Sequence, residues 1–372
     1  MKVSHSISIF NATKKTIITL GTFDGVHLGH QAILKKLVNA TENGAYESLV
    51  LTFYPHPRIV LNQENAMHLL NTIEEKTILV TGGSGFIGRH FCWEAERLGW
   101  SLIVLSRSVE KAREVLPSSA EIISRLDQIA SGITIDTIVN LAGEPLADKR
   151  WNESRKKQFF VSRSSFTDQL YEFFRHRAEA PMRLISGSAI GYYGPGSAPV
   201  DESNSAVDGF SHELCASWEE SALQFKKLGT RVCLVRTGIV LGEQGALAKM
   251  LPPFRIGLGG PIGNGEQVMS WIHIRDMVRV LNHCIQSEKL SGPINATAPN
   301  SLINREFTAT LAKILGRPAL LPMPSFMVRL LFGEMGVELL LQGQKVIPAK
   351  LLQSRFKFEY PNLTGALQDL LK

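Results

Sequence analysis

The segment Thr77–Gly88, TILVTGGSGFIG, constrains the fold of this chain more than any other. Residues 77–80 are apolar or β-branched without alternation, which is the pattern of a parallel strand buried on both faces. Four glycines follow within the segment, and a helical pattern over 89–98 comes after it. A strand, a glycine-rich turn and a helix N-terminus in that order predict a dinucleotide-binding corner. The alternative is an ordinary structural turn, because glycines also mark such turns.

The glycines of this corner have separate expected roles. Gly82 permits the tight turn, Gly85 lets a pyrophosphate approach the backbone, and Gly88 lets helix and strand pack closely. The free N–H groups and the positive dipole end of the helix then face the phosphate charge. We therefore predict that the cofactor is held by Thr81, Gly82, Gly83, Ser84, Gly85, Phe86, Ile87 and Gly88.

The end of the second predicted strand, 101–105, indicates which coenzyme is bound. It continues into Ser106-Arg107-Ser108, where NAD-preferring folds place an Asp or Glu for the ribose hydroxyls. A carboxylate there would repel a 2′-phosphate, whereas an arginine beside a hydroxyl attracts it. Ser106 and Arg107 therefore predict NADP(H), and the alternative is a solvated surface arginine.

Three later strand ends add candidate residues. The strand over 134–139 leads to Asn140, Leu141, Ala142 and Gly143, small enough for the most part to leave room for a cofactor. Asn140 could bond a ribose or the backbone, or cap a turn. The strand over 183–186 leads to Ser188, and the strand over 232–235 leads to Arg236, which we also assign to the cofactor. Ligands of parallel α/β sheets bind at these ends.

Composition limits the remaining possibilities. The 372 residues, 44% apolar and 20% charged, are typical of a soluble globular protein with two or three domains. A formal charge of +6 is mild and no basic run stands out, so we expect a small-molecule substrate and no nucleic acid. The four cysteines form no Cys-x-x-Cys pair, which argues against a metal site and suits the cytoplasm. No apolar run reaches membrane-spanning length, so no membrane partner is expected; an oligomer is possible.

The first seventy-six residues have a pattern of their own. A strand over 16–20, a helix over 31–40 and a strand over 48–53 predict a βαβ unit, with His27-x-Gly-His30 in its first turn. Two imidazoles at a helix N-terminus can hold a nucleoside triphosphate and stabilise charge on phosphorus. The alternative is that these histidines cap a turn.

Residues 21–30 and 51–57 resemble the opening of bifunctional riboflavin kinase/FMN adenylyltransferases. The resemblance implies that His27 and His30 contact ATP phosphates. It stops near Lys76, without the family's second signature and without the riboflavin kinase domain. A fused remnant is therefore expected here, with residual FMN adenylyltransferase activity as one candidate function.

A second resemblance covers nearly all of 77–372. Five segments are similar to extended short-chain dehydrogenases/reductases, namely 81–88, 140–144, 188–194, 236–242 and 271–276. Arg150-Trp151, Ser162-Arg163 and Cys215-x-x-Trp218-Glu219 mark the atypical epimerase-family branch, and the end of the chain resembles its C-terminal domain of unknown function. The resemblance implies NADP(H) as cofactor and hydride exchange with a carbonyl or alcohol carbon.

The chain departs from the wider superfamily at its proton-transfer pair. Extended members use Tyr-x-x-x-Lys, in which the lysine lowers the tyrosine pKa. Here Phe210 or Ser211 stands where that tyrosine would be. Our hypothesis is that Ser188 acts with Tyr192 or Tyr193, and the alternative is that these tyrosines are packing aromatics.

The C-terminal segment is expected to be helical over 306–315, 325–333, 338–341 and 363–371. Five apolar residues are expected to pack on the sheet as part of a lid or substrate-side domain: Phe326, Leu330, Leu331, Leu339 and Leu340. A membrane-surface helix is the alternative, but no basic face is visible in the segment. Asp276 is expected to cap the helix that follows it.

These patterns predict an α/β protein with a doubly wound parallel (Rossmann) sheet. Its domains are an N-terminal βαβ appendage over 1–76, an NADP(H)-binding domain over 77–295 and a small, mostly helical C-terminal domain over 296–372. The leading function is an epimerase-like or reductase enzyme of unknown substrate. A non-catalytic NADP(H)-binding sensor or scaffold is the second candidate, because the Tyr/Lys pair is missing.

Overall fold

The computed structural model describes residues 15–21, 46–52, 76–205 and 207–371, the first two ranges as backbone only. The chain divides into two compact units, Met1–Glu74 and Glu75–Lys372. The boundaries expected at 76 and 295 stay predictions.

The strands are β1 (Lys15–Gly21), β2 (Tyr46–Thr52), β3 (Thr77–Thr81), β4 (Ser101–Leu105), β5 (Glu121–Ile123), β6 (Thr137–Asn140), β7 (Arg183–Ala189), β8 (Gly196–Val200), β9 (Arg231–Thr237), β10 (Ile239–Leu241), β11 (Val268–Met269), β12 (Trp271–His273), β13 (Gly292–Ala296), β14 (Leu302–Ile303) and β15 (Gln344–Val346). The α-helices are α1 (Phe86–Arg97), α2 (Val109–Arg113), α3 (Glu153–Phe160), α4 (Phe166–Arg175), α5 (Phe210–Leu223), α6 (Gly245–Arg255), α7 (Ile274–Gln286), α8 (Asn304–Leu315), α9 (Ser325–Phe332), α10 (Glu334–Gly336), α11 (Ala349–Gln353) and α12 (Leu363–Leu371).

The N-terminal unit contains a parallel strand pair. β1 and β2 align with Lys15 opposite Tyr46 and Gly21 opposite Thr52. Parallel strands need a crossover connection, as the predicted βαβ unit has. The two predicted strands are confirmed, whereas the predicted helix over 31–40 and the candidate residues His27 and His30 lie outside the described residues.

The second unit is built on a seven-stranded sheet with the order β13-β9-β7-β6-β3-β4-β5, in which all pairings are parallel. The chain runs outward from β3 to β5 and then returns to β6 on the other side of β3. The carboxyl ends of β3 and β6 therefore flank the topological switch point, where such sheets bind ligands. The predicted doubly wound parallel sheet is confirmed.

Both faces of this sheet are covered, which explains the unbroken apolar run of β3. Ile78 and Val80 belong to a buried cluster that includes Phe91 of α1. Leu79 points the other way and packs with Leu170 and other side chains on the α4 side. Successive side chains of a strand alternate between faces, so a strand between two helix layers needs apolar residues at every position.

The C-terminal region is mostly helical, as predicted, but it also contributes strands. Phe307 and Leu311 of α8 and Leu367 of α12 form a third buried cluster with Trp271. β15 pairs in parallel with β8, and β14 pairs antiparallel with β11. The helices expected over 306–315 and 363–371 are confirmed by α8 and α12.

The expected packing of α9 on the sheet is wrong. Phe326, Leu330 and Leu331 are exposed, and Val328 is the residue of α9 that is fully buried. Val328 lies against Gly336, whose missing side chain lets α9 and α10 approach closely. One residue thus anchors a helix whose larger apolar side chains face outward.

The predicted capping role of Asp276 is also wrong. His273 is the N-cap of α7, because its Nδ1 accepts a hydrogen bond from the backbone N–H of Arg275 at 3.1 Å. Asp276 is fully buried and instead accepts the backbone N–H groups of Glu359 and Tyr360, each at 2.8 Å. Its carboxylate therefore ties a distant loop to α7.

Among the described residues, no helix has both the length and the apolar character needed to cross a bilayer.

Candidate functional site

Two positions of the corner after β3 accept only glycine. Gly82 has φ of +67°, and a Cβ there would lie 2.5 Å from the carbonyl oxygen of Leu141. A Cβ on Gly88 would collide with the carbonyl oxygen of Gly82. Because both positions exclude any side chain, the turn leaves bare backbone at the carboxyl end of β3.

The N-terminus of α1 opens onto this turn. Gly85 is the N-cap, no side chain caps the helix, and its first turn contains no acidic residue. The backbone N–H of Gly85 donates to the Gly82 carbonyl at 3.0 Å, and that of Arg89 donates to the Gly85 carbonyl at 3.0 Å. The first N–H groups of the helix have no intrahelical partner, and with the helix dipole they favour an anion.

Buried polar groups fasten the two strand ends beside the switch point. The Thr81 hydroxyl donates to Asn140 Oδ1 at 2.7 Å, and Asn140 Nδ2 donates to the Thr167 hydroxyl at 2.9 Å. The backbone N–H of Ala142 donates to the Thr81 hydroxyl at 3.3 Å. Asn140 is fully buried, so its side chain holds the strand ends together, and Leu141, Ala142 and Gly143 are the solvent-facing part of this segment.

Arg163 is buried beneath the segment that follows β6 and contacts its backbone. Its Nη2 donates to the Glu144 carbonyl at 2.9 Å, and its guanidinium lies 5.4 Å from the Trp218 ring centroid. Burial lowers the pKa of Arg163 to about 10. A Cβ on Gly143 would lie 2.9 Å from the guanidinium carbon. The close approach explains the glycine at this position.

Arg107 stands at the end of β4 with its side chain 94% exposed. Its nearest carboxylate within the described ranges is Glu144, at 3.8 Å. The Ser106 hydroxyl donates to the Ser108 carbonyl at 3.0 Å, and the Ser108 hydroxyl caps α2. The turn is thereby held by its serines, and the guanidinium is left in solvent.

A second cluster lies at the ends of β7 and β9, where Ser188 and Arg236 are paired in register. Glu219 of α5 joins them: its Oε1 accepts the Ser188 hydroxyl at 2.7 Å and Arg236 Nε at 2.8 Å, and its Oε2 accepts Arg236 Nη2 at 2.8 Å. All three residues are buried. Burial disfavours the Arg236 charge, but the bonds and charge of Glu219 outweigh it, so the pKa of Arg236 is raised.

Glu219 is the site residue to which the sequence assigned no role, although it belongs to a family-branch motif. The helical spacing around Glu219 could have indicated its role. One face of α5 contains four buried residues: Cys215, Trp218, Glu219 and Ala222. A carboxylate on an otherwise apolar face requires a buried partner. Arg236, assigned to the cofactor, makes its contacts with this carboxylate and with two tyrosines.

The tyrosines occupy a short helical turn, Ile190–Tyr193, directly after β7. The Tyr193 hydroxyl is buried and donates to Asn295 Oδ1 at 2.7 Å, and burial raises the pKa of Tyr193. Tyr192 is half-buried, with the guanidinium carbon of Arg236 3.4 Å from its ring centroid. Of the three proposed proton-transfer residues, Ser188 and Tyr193 have bonded hydroxyls, and only the Tyr192 hydroxyl has no bond within 76–205 and 207–371.

The residues that replace the superfamily's tyrosine have other contacts. Phe210 packs in an aromatic cluster, 5.0 Å from Trp151 between ring centroids. The Ser211 hydroxyl donates to Glu338 Oε2 at 2.7 Å. Neither position therefore supplies a phenol with an adjacent lysine.

The fold and the corner define a Rossmann-type protein with an uncapped helix N-terminus at the carboxyl end of its first sheet strand. The family model for the NAD dependent epimerase/dehydratase family matches residues 78–296. The chain therefore belongs to that family. A model of a domain of unknown function, DUF1731, matches 323–370, and a FAD synthetase model matches 9–83.

Named relatives agree with this assignment. The human epimerase family protein SDR39U1 is 36% identical over 300 residues, which is 79% of this chain and 99% of the relative. Bacillus subtilis YfhF, also an epimerase family protein, is 34% identical over 79% of this chain and 97% of its own length. A crystal structure of human SDR39U1 (isoform 2) with NADPH covers 79% of this chain and 98% of that chain, with a TM-score of 0.71 and 34% identity.

Proposed function

We propose that this chain binds NADP(H) at the β3–α1 corner and exchanges hydride with a carbonyl or alcohol carbon of a small molecule. The observation that carries the proposal is the side-chain-free turn at Gly82 and Gly88 in front of an uncapped helix N-terminus. A pyrophosphate fits that backbone because N–H groups and the helix dipole face it. The human relative whose structure was determined with NADPH supports the same assignment.

Arg107 is the proposed holder of the adenosine 2′-phosphate. Its side chain is 94% exposed just after β4, 3.8 Å from the Glu144 carboxylate, at the position where a carboxylate would select NAD instead. Leu141, Ala142 and Gly143, at the end of β6, are proposed to line the cofactor beside the corner. The nicotinamide supplies the hydride chemistry when it is bound.

Proton transfer is proposed for Tyr192. Its hydroxyl is the one left unbonded in the candidate group, and its ring is held against Arg236. Glu219 fixes Arg236 and the Ser188 hydroxyl in turn, so these residues position the tyrosine.

We further propose a cytoplasmic location, since all four cysteines are buried free thiols.

The coenzyme assignment is tested with Arg107→Ala. Losing a charge-assisted bond of roughly 1.5–3 kcal/mol should weaken NADPH binding about tenfold to a hundredfold and leave NADH binding unchanged. Isothermal calorimetry with both coenzymes measures this, and Arg113→Ala on the exposed side of α2 is the matched control. No heat with either coenzyme for the parent chain would refute the proposal.

The proton-transfer assignment is tested with Tyr192→Phe. Once a pool of carbonyl compounds has yielded a substrate, turnover should fall on the order of a hundredfold while NADPH affinity is retained. Tyr193→Phe should instead lower stability by about 1 kcal/mol, because it removes the bond to Asn295. Full turnover of the Tyr192→Phe variant would contradict the assignment.

A second candidate function is NADP(H) sensing without catalysis. It is favoured by Phe210 and Ser211 at the position of the superfamily's tyrosine, with Ser211 bonded to Glu338. A substrate-dependent change in NADPH absorbance separates an enzyme from a sensor.

Residual FMN adenylyltransferase activity is the candidate function of residues 1–76, because they match a FAD synthetase model. It is tested by FAD formation from FMN and ATP.

A further inference from the structure

The exposed apolar side chains of this protein are concentrated in one region. In the described residues, thirteen large apolar side chains are exposed, and eight of them lie in residues 256–258 and 320–331. Four belong to α9, where Phe326 is 69% and Leu330 70% exposed, with Met327 and Leu331 beside them. Scattered exposed apolar residues are ordinary, but a contiguous group marks an interaction surface.

The other four lie in or next to two extended segments that run side by side. The backbone N–H of Leu321 donates to the Gly259 carbonyl at 3.4 Å, and that of Met323 donates to the Pro261 carbonyl at 2.9 Å. These bonds, with Gly257 close to Pro318, set residues 257–260 alongside 318–321, so Leu258, Leu320 and Leu321 lie in adjoining segments. Ile256 directly precedes the first segment, and the second continues into α9. We call these eight residues the apolar face.

Four cations belong to the segments that form the apolar face or directly precede them. Arg255, Lys313, Arg317 and Arg329 are all exposed, and none has a carboxylate partner within 76–205 and 207–371. The sequence over 244–265 and over 313–333 contains no Asp or Glu. Apolar side chains next to unpaired cations, with no anion between them, are complementary to a surface that is both apolar and negatively charged.

We propose that the apolar face docks on an anionic phospholipid bilayer, with α9 lying in the plane of the interface. Its long apolar side chains enter the acyl boundary, and the four cations meet the headgroup phosphates. Val328 anchors the helix from behind, so the outward side chains are presented by a fixed scaffold. This binding mode needs no spanning helix.

A second copy of this chain is a poorer occupant. A two-fold contact would place the same surface against itself, and the four cations of one copy would face those of the other without an intervening carboxylate. The basic residues come from the ends of α6 and α8 as well as from α9. For that reason the sequence of α9 taken alone shows no basic face.

The test is cosedimentation of the full chain with two kinds of vesicle, pure phosphatidylcholine and phosphatidylcholine containing phosphatidylglycerol. We expect binding to the anionic vesicles that weakens with salt. Phe326→Ser with Leu330→Ser should reduce the partition coefficient at least about tenfold. Arg317→Gln and Arg329→Gln should each reduce it about fivefold.

Matched controls keep the result specific. Val161→Ser with Met182→Ser removes exposed apolar residues elsewhere, and Lys111→Gln with Arg113→Gln removes exposed cations elsewhere; both should bind as the parent does. Thermal unfolding and NADPH affinity should be unchanged in the α9 variants, because the replaced side chains are exposed. No binding to anionic vesicles, or equal loss in the controls, overturns the proposal. Self-association abolished by the α9 variants without vesicle binding assigns the face to a second copy and also overturns it.

Discussion

At the scale of single residues, the corner depends on atoms that are missing. Gly82 needs its positive φ, and Gly88 needs space, because the Gly82 carbonyl occupies the place of its Cβ. Gly85 differs, since a Cβ there would meet the Gly82 carbonyl oxygen at 3.2 Å and nothing else within 4 Å. The glycines therefore contribute unequally, although a pattern match counts them alike.

Gly88→Ala should destabilise the chain by roughly 1–3 kcal/mol and abolish NADPH binding, since the helix must move off the turn. Gly365→Ala on α12 is the matched control, because a Cβ there meets nothing within 4 Å. That change should raise stability by up to about 1 kcal/mol. Chemical denaturation and calorimetry measure both. A Gly88→Ala chain with parental NADPH affinity would contradict the backbone-cradle role.

At the scale of elements, the N-terminus of α7 joins the sheet to the C-terminal region. His273 is fully buried, stacks on Tyr360 with 3.9 Å between ring centroids, and has Nε2 3.3 Å from Asp369 Oδ2. Its Nδ1 is an acceptor in the cap, so the ring is held as the neutral Nε2–H tautomer. Burial lowers the pKa of His273, and the same cause lowers that of His283.

This arrangement predicts a loss of stability in acid. The unfolded chain binds protons on these histidines below about pH 6.5, whereas the folded chain binds them only at a lower pH. Stability should therefore be complete above that pH and fall as pH drops toward the lowered folded pKa. His273→Asn retains a capping acceptor and should flatten the decline in melting temperature between about pH 7.5 and pH 5. His176→Asn, on an exposed side chain, should keep the parental slope; an unchanged slope in His273→Asn would contradict the assignment.

At the scale of the whole molecule, the two compact units have separate relatives. The human relative is matched over 99% of its length by 79% of this chain, so it offers no counterpart for the remaining fifth. Residues 9–83 instead match a FAD synthetase model. The epimerase-family match and the FAD synthetase match thus cover largely different parts of the chain, and Glu75–Lys372 forms one unit.

Deletion of residues 1–74 should leave a folded protein with the parental NADPH affinity. The reason is that the sheet, the corner and the apolar clusters described above all lie in Glu75–Lys372. Calorimetry and thermal unfolding compare the two chains. A tenfold loss of affinity would show that the N-terminal segment contributes to the site.

The sheet, the glycine corner and the family follow from the amino-acid sequence, because the patterns of strand, turn and helix are local and each occupies a few consecutive residues. Which side chains meet is known from the folded chain alone. Glu219 reaches Ser188 across 31 residues of sequence and Arg236 across 17, and no periodicity specifies that pairing. The exposure of α9 is likewise a result of folding, since whether Phe326 and Leu330 are core or surface depends on what the remaining elements leave uncovered. Interactions between neighbours in sequence set the helices and strands, whereas the burial of a side chain depends on the whole folded chain.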